Sequence, residues 1–207
     1  MTVLAIRRSW SREENDMSDI GNRKMRTIST EFQTREDGGD LKIEGYFAVF
    51  DSVYEMAPGL TESIAPGAFT KTLSRDIRAL TNHDTTLVLG RTKAHTLELR
   101  EDNHGLWGSV TINPKDSDAM NLYERVKRGD VDQCSFGFDI RSEDTDIRED
   151  GSIHWTIREV DLYEVSACTF PAYEETGISA RAKERDEINQ RALTAWKENA
   201  RKKLKGE

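Results

Sequence analysis

The chain has 207 residues, of which 36% are hydrophobic and 33% are charged, and this composition suits one domain of ordinary size with polar extensions. The formal net charge of −8 argues against nucleic acid as the main partner, because phosphate binding needs a basic surface. The two cysteines and the absence of a long apolar run or a signal-peptide core predict no disulfide framework, no metal, no cofactor, no membrane partner and a reducing cytoplasm.

The first half of the chain is predicted to be mostly β. Residues 1–26 are polar without a sustained period and are predicted to form a flexible extension. Residues 27–50 alternate around an Asp-Gly-Gly turn signal and predict strands. Residues 51–66 contain two of the four prolines and predict a loop with a short strand over 61–64. Apolar residues at helical spacing predict a helix over 67–80.

The second half contains the clearest helix signals. Residues 81–112 return to strand patterns, and an N-cap signal with a closing glycine predicts a helix over 116–128. A strand follows over 131–141, and two more strands are predicted within 153–170. Residues 174–207 predict a charged helix with a thin apolar stripe, which is typical of a solvated helix or of one that docks on a partner.

Many short strands with two helices between them predict a mostly β (α+β) domain over residues 27–173, expected to be a barrel. The polar segments 1–26 and 174–207 lie on either side of it.

A candidate nucleophile lies in the strand that contains Cys134 and Phe136. Alternation places these two residues on the core face with Phe138 and leaves Ser135 on the other face, next to Gly137. A neighbouring glycine would leave the Ser135 hydroxyl exposed and give an approaching backbone room. The same pattern also fits an ordinary strand serine.

Four histidines are candidates for a general base. His83 lies between the predicted helix and a strand, and the adjacent Asp84 could orient it or serve as a turn residue. His104 and His154 lie beside turns and are predicted to be solvated, and His95 lies in a short loop. A lone histidine in a sequence is more often structural than catalytic.

A candidate acid lies in the last strand. A carboxylate among apolar residues is costly unless it has a partner, and a histidine would serve. Glu164 would need no such partner if this were an exposed edge strand. Asp161 is nearer the strand start and more easily solvated. Alternation puts Glu164 on one face with Val160, Leu162, Ser166 and Cys168. Serine, histidine and carboxylate together supply the parts of a nucleophile–base–orienter set.

Several segments follow one another along the chain: GYFAVFDS (Gly45 to Ser52), ESIAPGAFTKTL (Glu62 to Leu73), NHD with LGRT (Asn82 to Thr92), GLWGSVTI (Gly105 to Ile112), RGDVDQCSFGF (Arg128 to Phe138) and LYEVSACTFPAY (Leu162 to Tyr173). In this order they resemble the prohead proteases of tailed phages of the HK97 type. They cover most of residues 40–173.

The resemblance implies a β-barrel with surrounding helices, similar to the herpesvirus assembly proteases. It implies a serine endopeptidase packed inside the procapsid in the host cytoplasm. Its partner would be the major capsid protein, whose scaffolding region it cleaves, and such enzymes often cut themselves. Relatives by fold are active as dimers, so a homodimer is a candidate state. The charged tail would dock to scaffold or capsid, or be removed by self-cleavage.

Residue by residue, the resemblance maps the family's histidine onto His83 and its serine onto Ser135. The acid maps onto Glu164, with Asp161 and His95 as the other candidates for the third member. Three further readings stay open at this point: a non-catalytic structural component with the same fold, a nucleic-acid binder, which the charge disfavours, and a cysteine protease. The last would use Cys134, which alternation places in the core as a spectator.

Overall fold

The computed structural model describes residues 6–9, 24–30, 32–170 and 175–205. Its strands are β1 (Ile6–Ser9), β2 (Lys24–Ser29), β3 (Gln33–Asp37), β4 (Asp40–Val49), β5 (Tyr54–Ala57), β6 (Leu60–Ile64), β7 (Arg78–Thr81), β8 (Asp84–Arg91), β9 (Leu97–Glu101), β10 (Gly105–Ile112), β11 (Gln133–Ile147) and β12 (Ile153–Cys168). The helices are α1 (Ser117–Arg128) and α2 (Glu175–Lys205), with a short 3-10 turn at Thr92–Ala94. None of the helices in these ranges is long and apolar enough to cross a membrane.

The strands form two sheets. The larger sheet has the order β1-β11-β12-β6-β5, with β2 also paired to β11, β7 to β12 and β8 to β7, and the smaller one has the order β3-β4-β10-β9. The larger sheet is mixed, because β12 is antiparallel to β11 and parallel to β6 and β7. A barrel needs its end strands to pair with each other. Among the described strands, β5 pairs only with β6 and β8 only with β7, so the larger sheet does not close. The fold is mostly β as predicted, but the sheets stay open.

The core lies between the two sheets and under α1. Phe136 and Phe138 of β11 are fully buried and stack at 4.9 Å between ring centroids, and Phe69 contacts Phe136 edge-on at 5.6 Å. Cys134 is buried on the same side, with Sγ 3.1 Å from the carbonyl oxygen of Tyr46. The predicted core face of this strand is therefore confirmed.

Helix α1 begins and ends where its capping residues predict. The Asp116 carboxylate accepts from the backbone N–H groups of Asp118 (3.0 Å) and Ala119 (3.2 Å), which satisfies two otherwise unpaired donors of the first turn. Gly129 ends the helix with φ 83°, a left-handed conformation that glycine adopts without strain.

The helix predicted over 67–80 is wrong, because this segment forms turns that lead into β7. Phe69 and Ile77 are fully buried, so both are drawn into the core. Their N–H groups bond to side chains of other elements: Phe69 to Glu101 Oε1 and Ile77 to Thr92 Oγ1, each at 2.9 Å. Tertiary burial and these bonds outweigh the helical spacing of the apolar residues.

The two strands predicted within 153–170 are one continuous strand, β12. Gly137 pairs with Glu164 and Phe138 pairs with Leu162, so Tyr163 is an extra residue that forms a bulge. A bulge reverses the faces of the residues that follow it. Leu162 and Val165 therefore both lie in the core, and the predicted common face of Leu162 and Glu164 is wrong.

Both polar segments contain ordered elements. Within 1–26, β1 pairs with β11, and residues 1–5 and 10–23 lie outside the described residues. Helix α2 contributes Arg181, whose side chain is 2% exposed, stacks over Trp155 and pairs with Glu62 and Glu143 at 2.9 and 2.6 Å. These four residues are the Arg181 cluster. The cluster anchors the first turns of the predicted solvated helix, while Trp196 further along is 67% exposed.

Candidate functional site

His83 occupies the turn of the β7–β8 hairpin. Thr81 and Asp84 are cross-strand partners, so Asn82 and His83 form a two-residue turn, with φ angles of 51° and 62°. Two left-handed central residues are the pattern of a type I′ turn, which matches the twist of the strands. Asparagine suits this turn, but histidine stands where glycine is preferred, at a cost of about 1 kcal/mol. Such strain is typical of a functional position.

The Asp84 side chain accepts its described hydrogen bonds from Thr86, next to the turn, and not from the His83 imidazole. Its Oδ1 accepts from the N–H of Thr86 at 2.8 Å and from the hydroxyl of Thr86 at 2.6 Å. Of the two roles open to Asp84, the structure therefore shows the turn residue.

Glu164 is the partner of the His83 imidazole. Its Oε1 lies 2.7 Å from Nδ1 of His83, and Glu164 is only 7% exposed. A Cβ atom on Gly137, which pairs with Glu164 across the strands, would lie 2.6 Å from the same oxygen. The glycine in the middle of β11 thus leaves the space that the carboxylate occupies.

Ser135 lies on the neighbouring strand, on the same side as Gly137. Its Cα partners are Ser166 of β12 and Thr27 of β2. Glu164 pairs with Gly137, so Ser135 and Glu164 are diagonal neighbours across the two strands. Directly opposed side chains lie about 4.5–5.5 Å apart at Cβ and diagonal ones about 7–8 Å. Ser135 is 0% exposed, and its Oγ has no hydrogen-bond partner among the residues that the structure describes. The predicted exposure of this hydroxyl is wrong, because β11 is a central strand.

The structure therefore joins two of the three predicted catalytic residues by a hydrogen bond, His83 and Glu164. The other imidazole nitrogen, Nε2, lies 3.9 Å from Sγ of Cys168. Burial raises the pKa of the Cys168 thiol to about 12, and the charge of Glu164 adds to this shift. A thiol that holds its proton so firmly is a poor nucleophile. Sequence reasoning placed Cys168 on the face of Glu164 but missed its contact with His83.

The other candidates for the third member lie elsewhere. Asp161 pairs with Arg75 at 2.9 Å and bonds to Nε of Arg141 at 2.5 Å. His95 follows the 3-10 turn in a left-handed conformation with φ 56° and is exposed. Neither has a described contact with His83.

A second histidine is hydrogen-bonded to a serine. Nε2 of His154 lies 2.9 Å from Ser63 Oγ, and Nδ1 lies 2.8 Å from Thr61 Oγ1. The prediction of a solvated His154 is therefore wrong. Burial lowers the pKa of His154, and a hydroxyl stands where a catalytic imidazole has an orienting carboxylate. The pair ties β12 to β6 rather than resembling a nucleophile and base.

Comparison with known proteins identifies the family. The family model of the caudovirus prohead serine proteases matches residues 28–191. The chain belongs to this family, as its segments predicted.

Two individual proteins to which the chain is similar can be named. One is the prohead protease of Enterobacteria phage HK97, which is 34% identical over 155 residues, with 73% of this chain and 64% of that protein covered. The chain thus spans slightly less than two thirds of that relative's length. The other is the solved structure of the bacteriophage T4 capsid assembly protease, which shares 12% identity and a TM-score of 0.47 over 72% of this chain and 98% of that one.

Proposed function

We propose that this chain is a serine endopeptidase that matures phage proheads. It would hydrolyse peptide bonds in the scaffolding region of the major capsid protein, and in itself. The observation that carries the proposal is the contact of 2.7 Å between His83, on a strained turn, and Glu164, on the strand that pairs with the strand of Ser135. Membership of a family of prohead serine proteases supports it.

In the proposed mechanism the Glu164 carboxylate accepts a hydrogen bond from Nδ1–H of His83, and the proton stays on Nδ1, so that the lone pair of Nε2 is free. Nε2 takes the proton of the Ser135 hydroxyl as Oγ attacks the scissile carbonyl carbon. The resulting imidazolium is stabilised by Glu164 and returns its proton to the leaving amine. Water, deprotonated in turn by His83, then hydrolyses the acyl-enzyme. Backbone N–H groups are expected to stabilise the oxyanion.

This mechanism requires Nε2 of His83 to turn from Cys168 toward Ser135. A buried hydroxyl without a partner costs about 1–3 kcal/mol, so a hydrogen bond from Ser135 to Nε2 would recover free energy. Catalytic hydrogen bonds are commonly long before substrate binds and tighten afterwards. We therefore infer that a bound substrate completes the contact.

Cys168 is a second candidate nucleophile, because its Sγ is the atom 3.9 Å from Nε2. Its raised pKa argues against this role. Cys134, the cysteine considered from the sequence, lies on the opposite face in the core. A purely structural role would need neither the part-buried His83–Glu164 pair nor the strain at His83.

The setting follows from the resemblance. We infer that the enzyme acts inside the procapsid in the host cytoplasm, with the major capsid protein as partner and a homodimer as a candidate active state. The likeness to the herpesvirus assembly proteases belongs to the same inference.

The test is co-expression with the major capsid protein of the same phage, followed by intact mass measurement of both chains. Wild type is expected to give defined truncations that are absent with Ser135→Ala. Ser63→Ala is the matched control, since it removes the other serine bonded to a histidine, and it should cleave like wild type.

Each other outcome has a definite meaning. Cleavage by Ser135→Ala that is lost in Cys168→Ala would make Cys168 the nucleophile. Cleavage lost only in Ser63→Ala would move the site to His154. No truncation by wild type, even in assembled procapsids, would contradict the proteolytic function.

A further inference from the structure

Ser166 lies between the candidate base and the candidate acid. It is 0% exposed and faces Ser135 across the β11–β12 pair. Its hydroxyl donates to Oε2 of Glu164 at 2.6 Å, and its Oγ accepts from the backbone N–H of His83 at 3.2 Å. One hydroxyl group therefore contacts both members of the His83–Glu164 pair.

The geometry assigns the hydrogen atoms of this contact. A serine hydroxyl has one proton and two lone pairs. Because an N–H can only donate, the Ser166 lone pair accepts from His83 and the single Ser166 proton goes to Glu164. Both carboxylate oxygens of Glu164 are then occupied, Oε1 by the imidazole and Oε2 by Ser166.

Loss of the hydroxyl would release both sides of the contact. The Glu164 carboxylate would be held at one oxygen only and could rotate away from Nδ1. The N–H of His83 would lose its acceptor at a residue whose left-handed backbone is already strained. Both effects would loosen the imidazole that has to reach Ser135.

We propose that Ser166 is a positioning residue, which fixes the carboxylate of Glu164 and the backbone of His83 in one arrangement. It touches neither substrate nor reacting atoms. The inference rests on the proposed function of the His83–Glu164 pair and adds a residue to its support. The competing explanation is a strand serine that merely satisfies its own hydroxyl.

The chain offers a matched control for that explanation. Ser109 is also a buried strand serine, and its hydroxyl donates to Oε1 of its cross-strand partner Glu44 at 3.0 Å, in the smaller sheet. Ser109→Ala therefore removes a serine–glutamate hydrogen bond in the smaller sheet, to which neither His83 nor Glu164 belongs. A merely structural role of Ser166 would make the two variants behave alike.

The first measurement is kinetic, on a peptide that spans a cleavage site found by co-expression. Ser166→Ala should lower kcat by about tenfold to a hundredfold, the loss expected for one hydrogen bond to a charged group, with KM unchanged. Ser109→Ala should leave kcat at the wild-type value. Equal kcat values in wild type and Ser166→Ala would overturn the proposal.

The second measurement needs no substrate. The Nδ1–H of His83, bonded to Glu164, should give a low-field proton NMR signal that is absent in His83→Ala. This signal should weaken or shift upfield in Ser166→Ala and stay in Ser109→Ala, and an unchanged signal in Ser166→Ala would refute the positioning role. If wild type hydrolyses nothing, the proposed function fails while this signal still tests Ser166.

A second pair of variants covers the case in which Ser166→Ala does not fold. Ser166→Thr and Ser166→Val have the same shape and differ only in the hydroxyl. The threonine variant should keep the His83 signal and more of the activity. Identical behaviour of the two variants would contradict the proposal.

Discussion

Gly137→Ala tests the space in which the candidate acid lies. The added methyl group would stand 2.6 Å from Oε1 of Glu164, 3.3 Å from its Cδ and 3.3 Å from its Cγ. Ordinary van der Waals contact begins at 3.4 Å, so the carboxylate must retreat by about 0.8 Å. The same oxygen is the acceptor for Nδ1 of His83. The substitution therefore disturbs the His83–Glu164 contact without changing either residue.

The size of the effect follows from the contact that is lost. A hydrogen bond to a charged group contributes about 1.5–3 kcal/mol, and each 1.36 kcal/mol in activation free energy is about a tenfold change in rate. If the whole contact acts in the transition state, Gly137→Ala should slow the reaction by about tenfold to a hundredfold. A strand otherwise favours alanine over glycine, so much of any loss must come from the site.

The assay is the rate at which a fluorophosphonate labels the folded protein, with circular dichroism to confirm the fold. Gly108→Ala is the control, because its methyl group would meet Phe47 at 2.7 Å and Leu99 at 2.8 Å in the smaller sheet. It should lower stability but leave the labelling rate of the folded protein unchanged. A Gly137→Ala protein that folds and labels like wild type would refute the role of the Glu164 carboxylate.

Three further predictions concern the turn and the tail. His83→Gly and His83→Ala should both be inactive, but the glycine variant should be more stable by about 1 kcal/mol in urea unfolding, because glycine relieves the left-handed strain; equal stabilities would contradict that strain. Arg181→Leu leaves the carboxylates of the Arg181 cluster short of a cation and should cost about 3–5 kcal/mol. Burial raises the pKa of Glu62, but ion pairs with Arg26 and Arg181 outweigh it and lower the pKa from 4.5 to about 2. Because the folded pKa is depressed, wild type should keep this contribution above about pH 4.5 and lose it as the pH falls toward 2, whereas Arg181→Leu should show a weaker acid dependence; identical pH profiles in thermal unfolding would count against the cluster. Deleting residues 190–207, and so sparing Arg181, should reduce packaging into procapsids but leave peptide hydrolysis intact, and unchanged packaging would argue against docking by the tail.

Local patterns predicted the parts of the fold that local physics decides. Alternation identified the buried face of Cys134, Phe136 and Phe138, and capping residues set both ends of α1. The segment 67–80 was mispredicted because hydrogen bonds from distant side chains replaced the helical ladder. The bulge at Tyr163 carries no local signal, yet one extra residue reversed the face of everything after it.

Less of the candidate site could be predicted from the residues alone. From the residues alone Ser135 also fitted an ordinary strand serine and His83 was one of four candidate histidines, and the family resemblance was needed to select them. Their surroundings depend on pairing across strands distant in sequence, such as Ser166 opposite Ser135, which no local pattern encodes. One missed signal was local: Asn82 begins a two-residue hairpin turn, which would have placed His83 at a strained position.

The most direct test of the account is to locate the label after a fluorophosphonate reacts with the folded, full-length chain. Peptide mass mapping should find the adduct on Ser135, with none formed by His83→Ala. An adduct on Ser63 would contradict the proposed role of Ser135. If wild type cleaves capsid protein but His83→Ala is labelled equally well, the proposed role of His83 is contradicted.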